Sequence, residues 1–363
     1  MVKRNNFTED KNFFILNSMD DRVRIVDPKG KTVFINDVFK NASDKSLELK
    51  NYINENASFL MLQRNSTLSN TTMIEEKLID DRYFSIKTSP IYNGDEFLGI
   101  IEVYRDITRE SLMKIELFNN NRNMLDDVRF VKKIQSNILP KDNSYANLRL
   151  RSKYLPSDEL SGDFFDIIKI DDNKYGIYIA DIMGHGVKAS IMTMFIKLTM
   201  NAILDKHPTF SPSEILFKLR DKFAKLGMES SQYFTAWLGV FDFSENKLTF
   251  SNAGHNCPPL LYSKSKDEVS FLLVSGRMIS NIIEPDNYDE KMVKIEDGDR
   301  LLLFSDGAIE AKNEARKEYG LERLRDVYNR EHDLEKTYKD IKKFTWGKQE
   351  DDLSLVEVEY KEI

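Results

Sequence analysis

The sequence predicts a two-domain α+β chain whose domains are joined by a helical linker. Three observations lead there. The chain has 363 residues, more than one ordinary core serves. Its strand-like runs come in antiparallel-looking pairs with polar turns while its helical runs come in blocks, which suits α+β layers rather than βαβ repetition. Residues 108–140 contain no Gly and carry Pro only at Pro140, so one long helix separates two strand-rich regions.

Residues 1–10 read as a charged, polar tail. From residue 11 to 108 the pattern opens with Arg22–Val26 and Lys31–Ile35 around Asp27-Pro28-Lys29-Gly30. Pro presets the turn and Gly accepts positive φ, so a hairpin is expected. A polar helical stretch, Ser43–Leu62, follows. Three strands come next, Met73–Ile79, Tyr83–Thr88 and Phe97–Tyr104, the last two joined through Tyr92-Asn93-Gly94-Asp95. In the linker, residues 109–140, Leu117, Met124, Val131 and Ile138 lie seven apart, and Val128 and Ile134 widen the stripe. A parallel coiled coil and an amphipathic helix packed on its own domain fit this spacing equally, since Asn120 and Asp127 interrupt the d-type positions.

The second domain is expected over 141–363. Strands are predicted at Leu148–Tyr154, Phe164–Ile170 and Tyr175–Ile182, then helices at Val187–Leu204 and Ser213–Leu226. Strands return at Phe234–Phe243, Lys247–Asn252, Phe271–Val274 and Arg300–Ser305. A helix is predicted at Leu321–Arg330 and a last strand at Leu353–Tyr360.

Composition narrows the function classes. Hydrophobic residues make up 41% of the chain and the net charge is −7, with no basic block, so a nucleic-acid partner is not suggested. The single cysteine, Cys257, cannot form an internal disulfide or a Cys-rich zinc site. The polar start is no secretory signal, and the apolar run Ile191–Leu204 is broken by Lys197 and reads as too short to span a bilayer. A cytoplasmic protein without a membrane span is expected.

Four acidic clusters fall at the ends of predicted strands: Ser161-Gly162-Asp163-Phe164-Phe165-Asp166, Asp181-Ile182-Met183-Gly184-His185-Gly186, Ser305-Asp306-Gly307 and Glu350-Asp351-Asp352. An Asp at the edge of an apolar strand is held rigidly and wants a cation or a hydrogen-bond partner. Hard oxygen donors without Cys suit Mg²⁺ or Mn²⁺. A single Asp-Gly is ordinarily a turn, and the pattern alone leaves metal chemistry as one reading among several.

Two resemblances sharpen this. Residues 11–108, ending in Asp106-Ile107-Thr108, resemble a PAS sensor domain in their order of two strands, helices and three strands. The second region resembles the SpoIIE/RsbU branch of the metal-dependent protein phosphatases (PPM family). Five ordered stretches carry that likeness: Tyr154–Asp166, Ile179–Ser190, Phe250–Pro259 with its Asn252-Ala253-Gly254-His255-Asn256 turn, Gly298–Gly307, and Asp351-Asp352-Leu353-Ser354. Ile134-Gln135-Ser136-Asn137-Ile138-Leu139-Pro140 also matches the linker end that precedes such domains, so the likeness covers about residues 134 to 360.

The resemblance implies a PPM-type α-β-β-α sandwich with two Mn²⁺ or Mg²⁺ ions at one edge. It implies Asp163 and Asp181 on the metal pair, Asp181 bridging, with the Ile182 carbonyl, Asp306 and Asp351 completing the shell. Asp352 follows the ligand, and Asp166 is expected to cap a turn rather than hold a bound water. A water activated between the ions would attack phosphoserine or phosphothreonine in line. His185 is a candidate general acid, weighed against a structural or switch role. His255 is expected to fix its turn and Cys257 to be inert. Neither Arg149 nor Arg151 fits the phosphate-binding arginine of the eukaryotic relatives.

The implied partner is a phosphorylated STAS-type anti-sigma factor antagonist, and a homodimer through sensor and linker is expected. The PAS-like segment has no His or Cys, which disfavours a His-ligated haem or a cysteinyl-flavin and leaves a noncovalent ligand, a protein partner or dimerisation open. Coupling of the sensor through the linker to the helix near Val187 is expected. A histidine kinase would need a phosphoacceptor His within 107–140, where there is none, and a decayed scaffold would have lost acids that are all present.

Overall fold

The computed structural model describes residues 12–54, 72–184, 186–229, 231–282 and 287–362. The chain divides into two units, Met1–Asn123 and Met124–Ile363.

In the first unit, α1 (Asn12–Asn17) precedes β1 (Arg22–Val26) and β2 (Thr32–Ile35), then α2 (Asp37–Ser43) and α3 (Leu47–Asn54). β3 (Met73–Ile79), β4 (Arg82–Asn93) and β5 (Glu96–Asp106) complete one antiparallel sheet of order β2-β1-β5-β4-β3. The expected first hairpin forms because Asp27 Oδ1 accepts from the Lys29 and Lys31 amides while Gly30 takes a φ of 80°. At the second hairpin Gly94 takes a φ of 62°, and Asn93 pairs with Glu96. Phe39, Leu49, Ile79, Phe84, Ile86 and Tyr104 form the core between helices and sheet. Within the expected helical stretch Ser43–Leu62 the described residues form α3, while α2 starts earlier and ends at Ser43; residues 55–62 lie outside the described residues.

The linker helix α4 runs unbroken from Thr108 to Ile138. Its heptad stripe changes character along its length: Leu117 and Met124 are exposed, whereas Val131 and Ile138 are half-buried.

The second unit is a sandwich. It contains β6 (Asn143–Tyr145), β7 (Leu148–Leu155), β8 (Asp163–Lys169), β9 (Lys174–Ile182), α5 (Val187–Lys206) and α6 (Pro212–Ala224). Then come β10 (Tyr233–Asp242), β11 (Lys247–Ala253), β12 (Leu260–Ser263), β13 (Glu268–Phe271), β14 (Ile279–Ser280), β15 (Glu290–Lys294) and β16 (Arg300–Phe304). α7 (Asp306–Ile309), α8 (Leu321–Glu331), α9 (Leu334–Phe344) and β17 (Leu353–Tyr360) end it. One sheet has the order β15-β11-β10-β9-β8, with β14 on β10; the other has the order β13-β12-β16-β17-β7-β6.

Period-2 alternation aims Phe165, Ile177, Ile179 and Trp237 of the first sheet at Leu150, Leu301, Leu303 and Val356 of the second. The other face of the first sheet packs on α5 and α6, through residues such as Tyr178, Ile196, Leu216 and Phe223. The other face of the second packs on α8 and α9, through Leu302, Leu324, Tyr328 and Ile341. The layers are therefore α-β-β-α, as expected.

Two expectations need correction. α5 has 20 residues and is long and apolar enough, by length and composition, to cross a membrane, so the argument from shortness fails. What places this helix in the core is burial of Ala189, Met192, Ile196, Met200 and Ile203 against the sheet. The strand expected at Phe271–Val274 is shifted to Glu268–Phe271, because register with β12 pairs Leu260 with Phe271.

Candidate active site

The ends of the two sheets bring the acidic clusters together. Asp163 opens β8 and Asp181 lies near the end of β9, and the ladder places them directly opposite each other. Thr235 on β10 is the next residue across from Asp181. Asp306 begins α7 directly after β16, and Asp351 and Asp352 lead into β17 beside it. Two glycines make the approach possible. A Cβ on Gly162 would stand 2.7 Å from the Ile182 carbonyl oxygen, and one on Gly307 would stand 2.1 Å from the Asp352 carbonyl oxygen.

The buried Asp163 carboxylate is held across the sandwich. Ser354 Oγ donates to its Oδ2 at 2.7 Å, and Ser305 also hydrogen-bonds it. Those two serines are zipped together by Ser354 N donating to Ser305 Oγ at 2.9 Å and Ser305 N donating to the Ser354 carbonyl at 3.0 Å. Burial, and next the Asp181 charge, push the Asp163 carboxyl well above the usual carboxylate range. Asp181 is pushed up to about 7, by burial first and then by Asp306, Asp351, Asp352 and Glu310. Asp306 is raised by burial and by Asp351, partly offset by hydrogen bonds from Asn256 and backbone amides. Glu310, one turn beyond Asp306, is raised by burial first and then by the charges of Asp306, Glu318 and Asp351. Asn256 and Glu310 belong to this patch and were missed in the sequence. Glu310 lies four residues beyond the predicted ligand Asp306, and Asn256 ends the Asn252–Asn256 turn, but neither spacing nor composition gives them a part in the site.

This is a concentration of like charge that only a cation or protons relieve, and every donor is a hard oxygen, which suits Mg²⁺ or Mn²⁺. Among the described residues, no three Asp, Glu, His or Cys side chains stand gathered as a ready cage. The donors fit by chemistry and position rather than as a closed shell.

Asp352 differs from its neighbour Asp351. Its Oδ1 accepts from Ser157 N at 2.7 Å and Ser157 Oγ at 3.0 Å; its Oδ2 accepts from Ser161 Oγ at 2.6 Å and Gly162 N at 2.9 Å. It latches the loop before β8 to the start of β17. Asp166 caps no turn, contrary to expectation. It lies within β8, buried, and pairs with Lys197 Nζ of α5 at 2.5 Å while accepting from Ile167 N. A buried carboxylate needs such a partner, so Asp166 anchors the helix to the sheet.

His185 lies outside the described residues. His255 is buried between the sheets. Its Nε2 stands 3.1 Å from the Phe304 carbonyl, which only accepts, so Nε2 carries the proton and Nδ1 accepts from Thr235 Oγ1 at 3.3 Å. Burial lowers its pKa to about 4, so the ring stays neutral and structural. Cys257 is fully buried with its thiol pKa raised by burial, and is unreactive by position. A cleft of about 260 Å³ opens beside Asp351, lined by Gly307, Glu310, Lys312, Trp346 and Lys348.

Comparisons with known proteins give the family and the fold. The family model described as Stage II sporulation protein E (SpoIIE) matches residues 171–361. The chain is similar to Phosphoserine phosphatase RsbP of Bacillus subtilis (strain 168), 29% identical over 189 residues, covering 51% of this chain and 45% of that protein. It is also similar to Phosphoserine phosphatase RsbU of the same organism, 27% identical over 160 residues, covering 44% of this chain and 46% of that protein. The chain thus spans less than half the length of these relatives. Among solved structures, the SiaA-PP2C domain of Pseudomonas aeruginosa superposes with a TM-score of 0.57 at 22% identity, over 68% of this chain and 98% of that one. The PP2C phosphatase domain with a regulatory fragment of SpoIIE from Bacillus subtilis gives 0.50 at 14% identity, over 83% and 75%. These likenesses carry the fold.

Proposed function

The chain belongs to the SpoIIE family, and on that premise we propose that its second unit is a metal-dependent phosphatase removing phosphate from serine or threonine of a partner protein. The observation that carries the reading is the convergence of acids from four distant stretches at one end of the sandwich, where the Asp181 charge raises the proton affinity of Asp163, and Asp306 and Asp351 raise that of Asp181.

Asp163, Asp181, Asp306, Asp351 and the Ile182 carbonyl are the residues that would hold two Mn²⁺ or Mg²⁺ ions. Such ions would supply an activated water as nucleophile and offset charge on the phosphoryl oxygens. The ester P–O bond breaks as the water oxygen bonds to phosphorus, releasing phosphate and the free hydroxyl side chain. The protein's own part is to hold the carboxylates: Ser305 and Ser354 orient Asp163, Asp352 fixes the loop before it, and His255 ties the Thr235 strand to the end of β16. His185, in the second motif, is the candidate that would protonate the leaving oxygen. The cleft with Trp346 beside Asp351 would receive the chain flanking the phosphoresidue.

The partner in this reading is a phosphorylated STAS-type anti-sigma factor antagonist in the cytoplasm. The first unit would be a PAS-type sensor. The strand order β2-β1-β5-β4-β3, with α2 and α3 between β2 and β3, supports it. Exposed Leu117, Phe118, Met124 and Leu125 on α4 support a homodimer through the linker. Insertion of one to three residues near Asn121 is then expected to change phosphatase output; output unchanged by every insertion counts against coupling through the linker.

The test is Mn²⁺-dependent phosphate release from phosphorylated STAS-domain proteins of the same organism, with p-nitrophenyl phosphate as a generic substrate. Release that stops with chelator and in Asp181→Ala supports the reading. Metal-independent release, or none from any substrate, overturns it.

A further inference from the structure

Among the described residues of α4, the one buried side chain is polar: Gln135, 3% exposed. Its amide pairs with both backbone groups of one residue. Gln135 Nε2 donates to the Ser161 carbonyl at 2.7 Å, and Ser161 N donates to Gln135 Oε1 at 3.3 Å. The side chain thus acts as a one-residue strand edge for a buried loop, whose polar backbone would otherwise be unpaired. Ile138 and Leu139 pack into the core beneath α5 and fix the helix end from which Gln135 projects.

Ser161 is the node of the loop before β8. Its Oγ donates to Asp352 at 2.6 Å and accepts from Asp163 N at 3.0 Å, so one residue touches both acidic motifs. Gln135 grips its backbone, leaving the hydroxyl for those two contacts. A Glu here could accept from Ser161 N but would set carboxylate oxygen against the Ser161 carbonyl, and a Leu could do neither.

We propose that Gln135 is a positioning residue for the metal ligand Asp163, setting through Ser161 the affinity of the site for divalent cations. It touches neither metal nor substrate. The inference rests on the proposed metal site, and outer-shell hydrogen bonds of this kind govern how tightly such ligands bind.

The test is Mn²⁺ titration of the full chain followed by the free-ion EPR signal, with the melting temperature of the metal-free protein measured alongside. Gln135→Leu and Gln135→Glu are expected to weaken Mn²⁺ binding by roughly 10-fold. Lys132→Ala, which removes from the same helix only the exposed ion pair to Glu159 of the loop before β8, is expected to bind as the parent does. Should Gln135→Leu misfold, the similarly sized Gln135→Glu decides. Parent-like Mn²⁺ affinity in the folded variants overturns the proposal, even if their melting temperature falls. A parent that binds no Mn²⁺ overturns the metal site itself and this inference with it, a result distinct from unchanged tight binding.

Discussion

The acidic patch has two unlike halves. Asp163 and Asp181 stand on paired strands, opposite each other in a continuous ladder, and the sheet fixes their separation. Asp306 and Asp351 stand where the second sheet gives way to a single helical turn and a loop, and Asp351 is exposed. The loop half is held by side chains rather than by a ladder: Asp352 through four hydrogen bonds to the loop before β8, and Gln349 Nε2 on the Gly307 carbonyl at 2.9 Å. The strand half is therefore preset and strained by like charge, while the loop half can adjust. Adjacent residues in that loop divide the labour. Asp352 has both oxygens filled by donors of the loop before β8, whereas Asp351 accepts from the Asp352 amide on Oδ1 at 2.7 Å and adds its charge to the patch.

Substitutions should separate the halves. Asp163→Asn or Asp181→Asn is expected to lower kcat/KM by ~10³-fold or more, the several kcal/mol that such metal ligation supplies. Asp351→Asn is expected to lose only ~10²-fold, in part recovered at high Mn²⁺. Equal losses that excess Mn²⁺ does not restore would erase the distinction.

Asp352→Ala attacks the latch rather than the charge. It leaves the Ser161 hydroxyl and the Ser157 and Gly162 amides without their partner, and is expected to cost about 3 kcal/mol in urea unfolding. A loss under about 0.5 kcal/mol would show that the latch holds little.

The strained half also predicts a pH signature in the metal-free protein. Asp181 is raised to about 7 when folded, against about 3.9 when unfolded. Between those values the folded state keeps a proton that the unfolded chain has released, so this group's contribution to stability is full at low pH and lost as pH rises towards 7. Urea midpoints measured across that range are expected to fall with pH in the parent and to flatten in Asp181→Asn. The smallest effect is at the cleft: Trp346→Ala is expected to raise KM for a phosphoprotein a few-fold, under about 1.4 kcal/mol, and to leave p-nitrophenyl phosphate hydrolysis unchanged.

Much of this was legible in the sequence, for local reasons. The Pro-Gly and Asn-Gly turns set both hairpins of the first unit, and apolar runs ending in Asp-Ile or Ser-Asp-Gly placed the carboxylates at strand ends. What the chain hid is long-range or masked by local composition. Gln135 and Ser161, 26 residues apart, meet only in the fold, as do Ser354 and Asp163, 191 apart. The Asp166–Lys197 pair was hidden in the same way, which is why a strand residue read as a turn cap. β12, four residues directly after Pro258-Pro259, was not predicted, being too short to show an alternation of its own. α9 was passed over although Leu334, Thr337 and Ile341 recur at helical spacing and are buried, because eight of its eleven residues are Lys, Glu, Asp, Thr or Tyr.

The most direct measurement is the melting temperature of the full chain, parent and Asp181→Asn, at about pH 8 with and without Mn²⁺. A carboxylate cluster built for cations predicts that, without the ion, Asp181→Asn melts above the parent, and that Mn²⁺ raises the parent strongly and the variant little. If the variant instead melts below the parent without the ion, and both respond alike to Mn²⁺, the patch is no metal site.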